Sequence, residues 1–104
     1  MWGKAMKKLF ISQPMRGKTD DEILKERKVL IADVYMKTHE EIEVIESFFE
    51  DAPADATPLW YLGESLKLLG TADFAVFATG WHDYRGCRIE HDAAVAYGIP
   101  IVEV

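Results

Sequence analysis

The sequence holds one cysteine, Cys87, so an internal disulfide is impossible. It has no charged-apolar-small leader and no run of about 18 apolar residues, so the expectation is a cytoplasmic, soluble protein with no membrane partner. Positive charge is in short supply: 12 Lys+Arg face 18 Asp+Glu, for a formal charge of -6 and a pI near 5.0. That balance argues against a general phosphate-backbone binder such as a duplex DNA protein. A small anionic ligand remains admissible if backbone N–H groups and a few arginines meet it locally. The acid concentrates between Glu40 and Asp55, where it reads as solvated surface. His39, His82 and His91 are scattered without metal-ligand spacing, so no metal is implied, and no other cofactor is expected. Repeats, low-complexity tracts and linkers are also missing. At 104 residues the chain has the length of one domain, 1–104, with a ragged start from Met1 to Lys7 in which Trp2 either packs or is disordered.

What is present is enough for a core: 49% of residues are hydrophobic and 12% aromatic. A chain of this size should bury roughly 60 to 70% of its unfolded surface. Lys8 to Gln13 reads as a short buried strand that ends in polar residues and Pro14. Thr19-Asp-Asp-Glu22 is a capping box, so a helix should begin there, with Ile23, Leu30, Ile31 and Val34 on one face, and run to about Thr38. Glu41 to Phe48 is rich in β-branched and aromatic residues and reads as the second strand. Thr57 followed by Pro58 starts a second helix, Leu59, Leu62, Leu66 and Leu69 keep its period, and Gly70 reads as a left-handed stop. Asp73 to Thr79 is a third strand, Gly80 to Gly86 a loop, Cys87 to Tyr97 a third helix, and Ile99 to Val104 a fourth strand.

Alternation of this kind predicts a three-layer doubly wound α/β fold, flavodoxin- or Rossmann-like, with a four-stranded parallel sheet in the order 2-1-3-4. The switch point then lies between strands one and three, so Ser12 to Lys18 and Gly80 to Gly86 should meet in one crevice. Gly17-Lys18-Thr19 in the first of these loops imitates the end of a Walker A motif. That motif needs glycine where Ser12 stands, and Pro14 removes one cradling N–H. The better expectation is that this loop, with Ser12, Gln13, Met15, Arg16 and the backbone at Gly17, binds a ligand's phosphate or sugar, the alternative being a plain turn with a surface arginine. In the second loop Asp83-Tyr-Arg-Gly-Cys-Arg-Ile-Glu90 brings a glycine, two arginines and then a carboxylate to a helix start. A first-turn acid has an ordinary explanation in the helix dipole. The functional alternative is that the dipole, with Arg85 or Arg88, keeps Glu90 ionised and aimed into the crevice, where it can attack an anomeric carbon. Cys87 is either activated by those arginines or simply packed, and Trp60, Tyr61 and Trp81 either stack on a base or cap the core, with Trp81 the better placed in the crevice loop.

Leu9-Phe-Ile-Ser-Gln-Pro-Met-Arg-Gly17, Trp60 to Leu69, Ala72-Asp-Phe-Ala-Val-Phe77 and Arg85-Gly-Cys-Arg-Ile-Glu-His91 resemble a family of small, often phage-borne proteins. That family looks like a compact branch of the nucleoside 2-deoxyribosyltransferase-like fold, which includes nucleotide N-glycoside hydrolases. The resemblance implies a retaining substitution at C1′ of a nucleoside or nucleotide, with Glu90 matching the nucleophile. It implies that Ser12 and Arg16 contact sugar or phosphate, and that Gly86 lets a ligand approach the helix start. Two departures stand out. The position of those enzymes' leaving-group acid falls on Ser65, and Leu9 and Phe10 occupy the strand that commonly carries a tyrosine. Serine is a poor general acid, which leaves open a proton borrowed from Asp83, Asp51 or a second subunit, or a nucleotide-binding module without turnover. A homodimer or higher homo-oligomer is expected, with the helix from Leu59 to Leu69 at its interface.

Overall fold

A computed structural model describes residues 6–47, 49 and 51–104; Trp2 and most of the ragged start, and Phe48 at the end of the expected second strand, lie outside the described residues. The element order is β1 (Lys7–Ser12), α1 (Asp20–Thr38), β2 (Ile42–Val44), α2 (Pro58–Leu69), β3 (Phe74–Phe77), a single 3-10 turn (Trp81–Asp83), α3 (Arg85–Ala96) and β4 (Ile101–Val102). The four strands form one parallel sheet in the order β2-β1-β3-β4. The doubly wound α/β architecture expected from the alternation is therefore the one adopted.

Pleating explains how so short a sheet buries apolar residues on both faces. Leu9 and Ile11 of β1 join Phe74, Val76 and Ala78 beneath Leu30 and Val34 of α1. Phe10 points to the other face, where it meets Ala75, Phe77, Leu69 of α2 and Ala94 of α3. β3 is apolar throughout, and β1 from Leu9 to Ile11, because each face has its own core. Lys7 pairs with Ile42, so the ladder begins one residue before the expected start at Lys8.

The helix starts follow their caps. Thr19 accepts from the Glu22 amide while Glu22 reaches back to the Thr19 amide, closing the capping box; Thr57 accepts from the Trp60 amide with Pro58 in the first turn. The ends differ from expectation. Gly70 is right-handed, φ -62, and its amide simply bonds back to Leu66. The left-handed turns fall instead at His39 (φ 54), which closes α1, and at Gly98 (φ 72) after α3.

β2 is shorter than its β-branched run because its continuation is diverted. The Ile45 amide still bonds to Leu9, but the Ile45 carbonyl and the Ser47 hydroxyl both accept from Arg27, at 3.5 and 3.3 Å. No helix among the described residues is long and apolar enough to cross a membrane.

Candidate active site

A cleft of about 340 Å³ opens at the carboxyl end of β1 against the start of α3, on the side of the sheet where a doubly wound fold reverses its strand order. One wall is the chain leaving β1, with Ser12, Gln13, Pro14, Met15 and Arg16. A second is the start of α3, with Tyr84, Gly86, Cys87 and Glu90. A third is formed by Ser47 and Phe49 after β2, then Pro58, Tyr61, Leu62 and Ser65 of α2, of which the sequence pointed only to Ser65 and, as a stacking alternative, Tyr61.

Glu90 is 8% exposed and Ser12 2%, and the Ser12 hydroxyl donates to Glu90 Oε1 at 2.7 Å. Burial pushes the Glu90 carboxyl above the usual carboxylate range, and the hydroxyls of Ser12 and Ser65 pull it back. This corrects the electrostatic expectation. α3 begins at Arg85 behind Tyr84, which supplies no side-chain cap, so Glu90 stands in the second turn and not the first. Arg85 and Arg88 are exposed, and Arg88 donates to the His82 carbonyl at 3.3 Å. Desolvation, rather than the helix dipole, dominates at Glu90.

Cys87 packs one turn before Glu90. Burial raises its thiol pKa, a hydrogen bond with Ser12 lowers it and the neighbouring Glu90 raises it again, so this is the packed thiol and not the activated one. Gln13 lines the cleft, yet its amide is already committed. Its Nε2 donates to the Ile23 carbonyl at 3.2 Å and to Glu26 Oε1 at 2.9 Å, and its Oε1 accepts from Arg27 at 3.2 Å. Lys18 pairs with Glu26 at 3.3 Å, completing a braced loop. Gly17, at φ 79, shapes this loop without lining the cleft, and the Lys18 amide closes it onto Met15.

Among the residues expected at the site, Ser12, Gln13, Met15, Arg16, Ser65, Gly86 and Glu90 come together around one cavity. Trp81, Asp83 and Arg85 do not line it. Trp81 stacks on His91 at 4.0 Å and on His82 at 3.7 Å and leans on Phe77, which commits the His91 ring to Trp81. The proximity of Gly80–Gly86 in sequence to the switch point concealed this: the 3-10 turn carries Trp81 toward the β4 side. A Cβ at Gly86 would meet nothing within 4 Å, so packing does not require glycine there. No group of three or more His, Cys, Asp or Glu among the described residues could hold a metal ion.

Arg27, Ser47, Phe49 and Tyr84 were missed. Arg27 had a legible signal, a charge on the same helical face as Ile23, Leu30 and Val34. Phe49 and Tyr84 had none, since loop aromatics show no periodicity.

Fold and cleft together define a small doubly wound α/β protein with a carboxylate seated at its switch-point crevice. No family model matches the sequence, and no curated protein matches it. A crystal structure of a conserved protein from Enterococcus faecalis V583 is similar, with a TM-score of 0.63 over 95% of this chain at 19% identity. This chain spans 63% of that protein. At such identity the likeness establishes the fold alone.

Proposed function

We propose that this protein acts on the N-glycosidic bond of a nucleoside or nucleotide, as a hydrolase or a deoxyribosyltransferase-like enzyme with Glu90 as its nucleophile. The observation that carries the reading is a carboxylate almost wholly removed from water, yet lining a cleft and held at one oxygen by Ser12. A desolvated carboxylate has little hydration shell to shed before it attacks. An oxygen of ionised Glu90 forms a bond to C1′ as the C1′–N bond breaks and its electron pair leaves with the base, which takes a proton from solvent. Water then attacks C1′ from the opposite face, the ester bond breaks, Glu90 regains its charge and the spare proton returns to solvent, with net retention. A second base in place of water makes the reaction a transfer. Arg16 and the backbone amides after β1 are the groups suited to a phosphate.

A binding module without turnover is the second reading, and one observation favours it: Glu90 is the single carboxylate among the described residues that line the cleft. The expected loan of a proton from Asp83 has no support there, since Asp83 does not line the cavity. Incubation with a panel of nucleosides and nucleotides, followed by chromatography for free base, tests the two. Release by the wild type that Glu90→Gln abolishes, with binding preserved, supports the nucleophile. Unchanged release in that variant rules the role out, and binding without release from any substrate establishes the module.

A further inference from the structure

The cleft has two chemically different ends. Toward β1 and α3 it offers Ser12, Ser65, Cys87 and Glu90; toward the start of α2 it offers Phe49, Pro58, Tyr61 and Leu62. On this second side the Tyr61 hydroxyl is the one side-chain hydrogen-bonding group among those residues. The aromatics there are braced rather than loose. Phe49 and Tyr61 lie 6.2 Å apart, and Trp60 stands edge-on to both, at 5.9 Å from Phe49 and 5.1 Å from Tyr61. Trp60 does not line the cavity, so it supports the pair from behind. Tyr61 remains 42% exposed, a large ring left half in water at the mouth of a cleft.

We infer that Phe49 and Tyr61 form a stacking subsite for a planar aromatic ring, which the cleft recognises by its face and area and not by the hydrogen-bonding pattern of its edge. The inference rests on the proposed function and deepens it: the ring is the base, and Tyr61, rather than Trp81, is the residue that holds it. Stacking is tolerant of ring identity because every base has a π-face, whereas a wall built to read an edge would present fixed donors and acceptors. A base seated on this wall leaves the sugar toward Ser12 and Glu90. Ligands with larger ring area then bind more tightly, and ring isomers that differ only in their edge groups bind alike.

Titration calorimetry on the full chain tests this with three probes: adenosine 5′-monophosphate, inosine 5′-monophosphate and ribose 5-phosphate, which has no ring. Tyr61→Ala should weaken both nucleotides about tenfold and leave ribose 5-phosphate unchanged, while Tyr61→Phe stays within about twofold of wild type. The two nucleotides should bind wild type within about threefold of one another, since a single rotatable hydroxyl, that of Tyr61, accepts or donates and does not fix one edge pattern. An equal loss for all three probes in Tyr61→Ala, no loss for any, a Tyr61→Phe defect as large as that of alanine, or a tenfold or greater preference between the nucleotides would each overturn the stacking assignment. Its fate is separable from that of catalysis. Ring-dependent binding without base release keeps the subsite and removes the nucleophile role, and base release indifferent to Tyr61 does the reverse. If wild type binds no nucleotide at all, both assignments fall.

Discussion

A carboxylate moved out of water prefers its proton, so the folded chain around Glu90 opposes the ionised form that the proposed nucleophile role requires. With the folded pKa raised by burial above the unfolded value of about 4.3, the native state binds more protons than the unfolded state between the two values. The stability linked to this group is whole below the unfolded pKa and is lost as pH rises through the folded one. Glu90→Gln, which keeps the shape and removes the titration, should melt at a higher temperature than wild type at pH 8, and the gap should close toward about pH 4. Thermal melts of both proteins across that range check it, and a gap that widens on acidification would show that burial is not the governing cause. The same shift sets the direction of any activity: attack needs the ionised form, so turnover should rise with pH through the Glu90 titration. Glu90 could be singled out from the sequence because a glycine, arginines and an acid cluster at one helix start. Its protonation balance could not, since that depends on Ser12 and Ser65, brought in from β1 and α2.

At the level of elements, α1 is more than a cover for its face of the sheet. Arg27, 6% exposed on the buried stripe, ties the exits of β1 and β2 together through Gln13, Ser47 and the Ile45 carbonyl. Burial lowers its pKa and the charge of Glu46 opposes that, so the cation is supported by a neighbouring carboxylate as well as by its hydrogen bonds. Arg27→Met keeps length and apolar fit but strands the Gln13 and Ser47 oxygens, which should cost about 1 to 3 kcal/mol. Urea unfolding should show a lower midpoint with little change in slope, and an unaltered midpoint would mean the network carries no net stability. α1 itself was legible to within a residue because a capping box and an apolar period agree. β2 was overextended because β-branched residues describe what a strand tolerates, and the contest for its backbone is decided by a side chain of another element. The start of α3 lies earlier than the sequence suggests because Arg85-Gly86 looks like loop chemistry and Tyr84 caps the helix without making a side-chain hydrogen bond.

Across the whole molecule the parallel order could be read from alternation and handedness alone, whereas the third wall of the cleft could not. That wall depends on how the segment between β2 and α2 folds back, for which the sequence offers only turn chemistry. Both outer strands are brief, and α2 leaves Leu59 at 73% and Tyr61 at 42% exposure. We expect the chain to associate as a homodimer through α2, burying Leu59. Light scattering at tens of micromolar should report twice the 11.8 kDa chain mass, and Leu59→Glu should return it to a monomer. A monomeric wild type, or a dimer indifferent to that change, would refute the interface. Cys87, the sole thiol of the sequence, is built into the cleft wall beside Ser12 and Glu90. Every chain thus carries one sulfur in the wall of its candidate site, packed and slow to ionise, so a library of disulfide fragments equilibrated at alkaline pH and weighed by intact mass spectrometry reports whether the cleft opens far enough to admit a ligand, before any substrate is assumed.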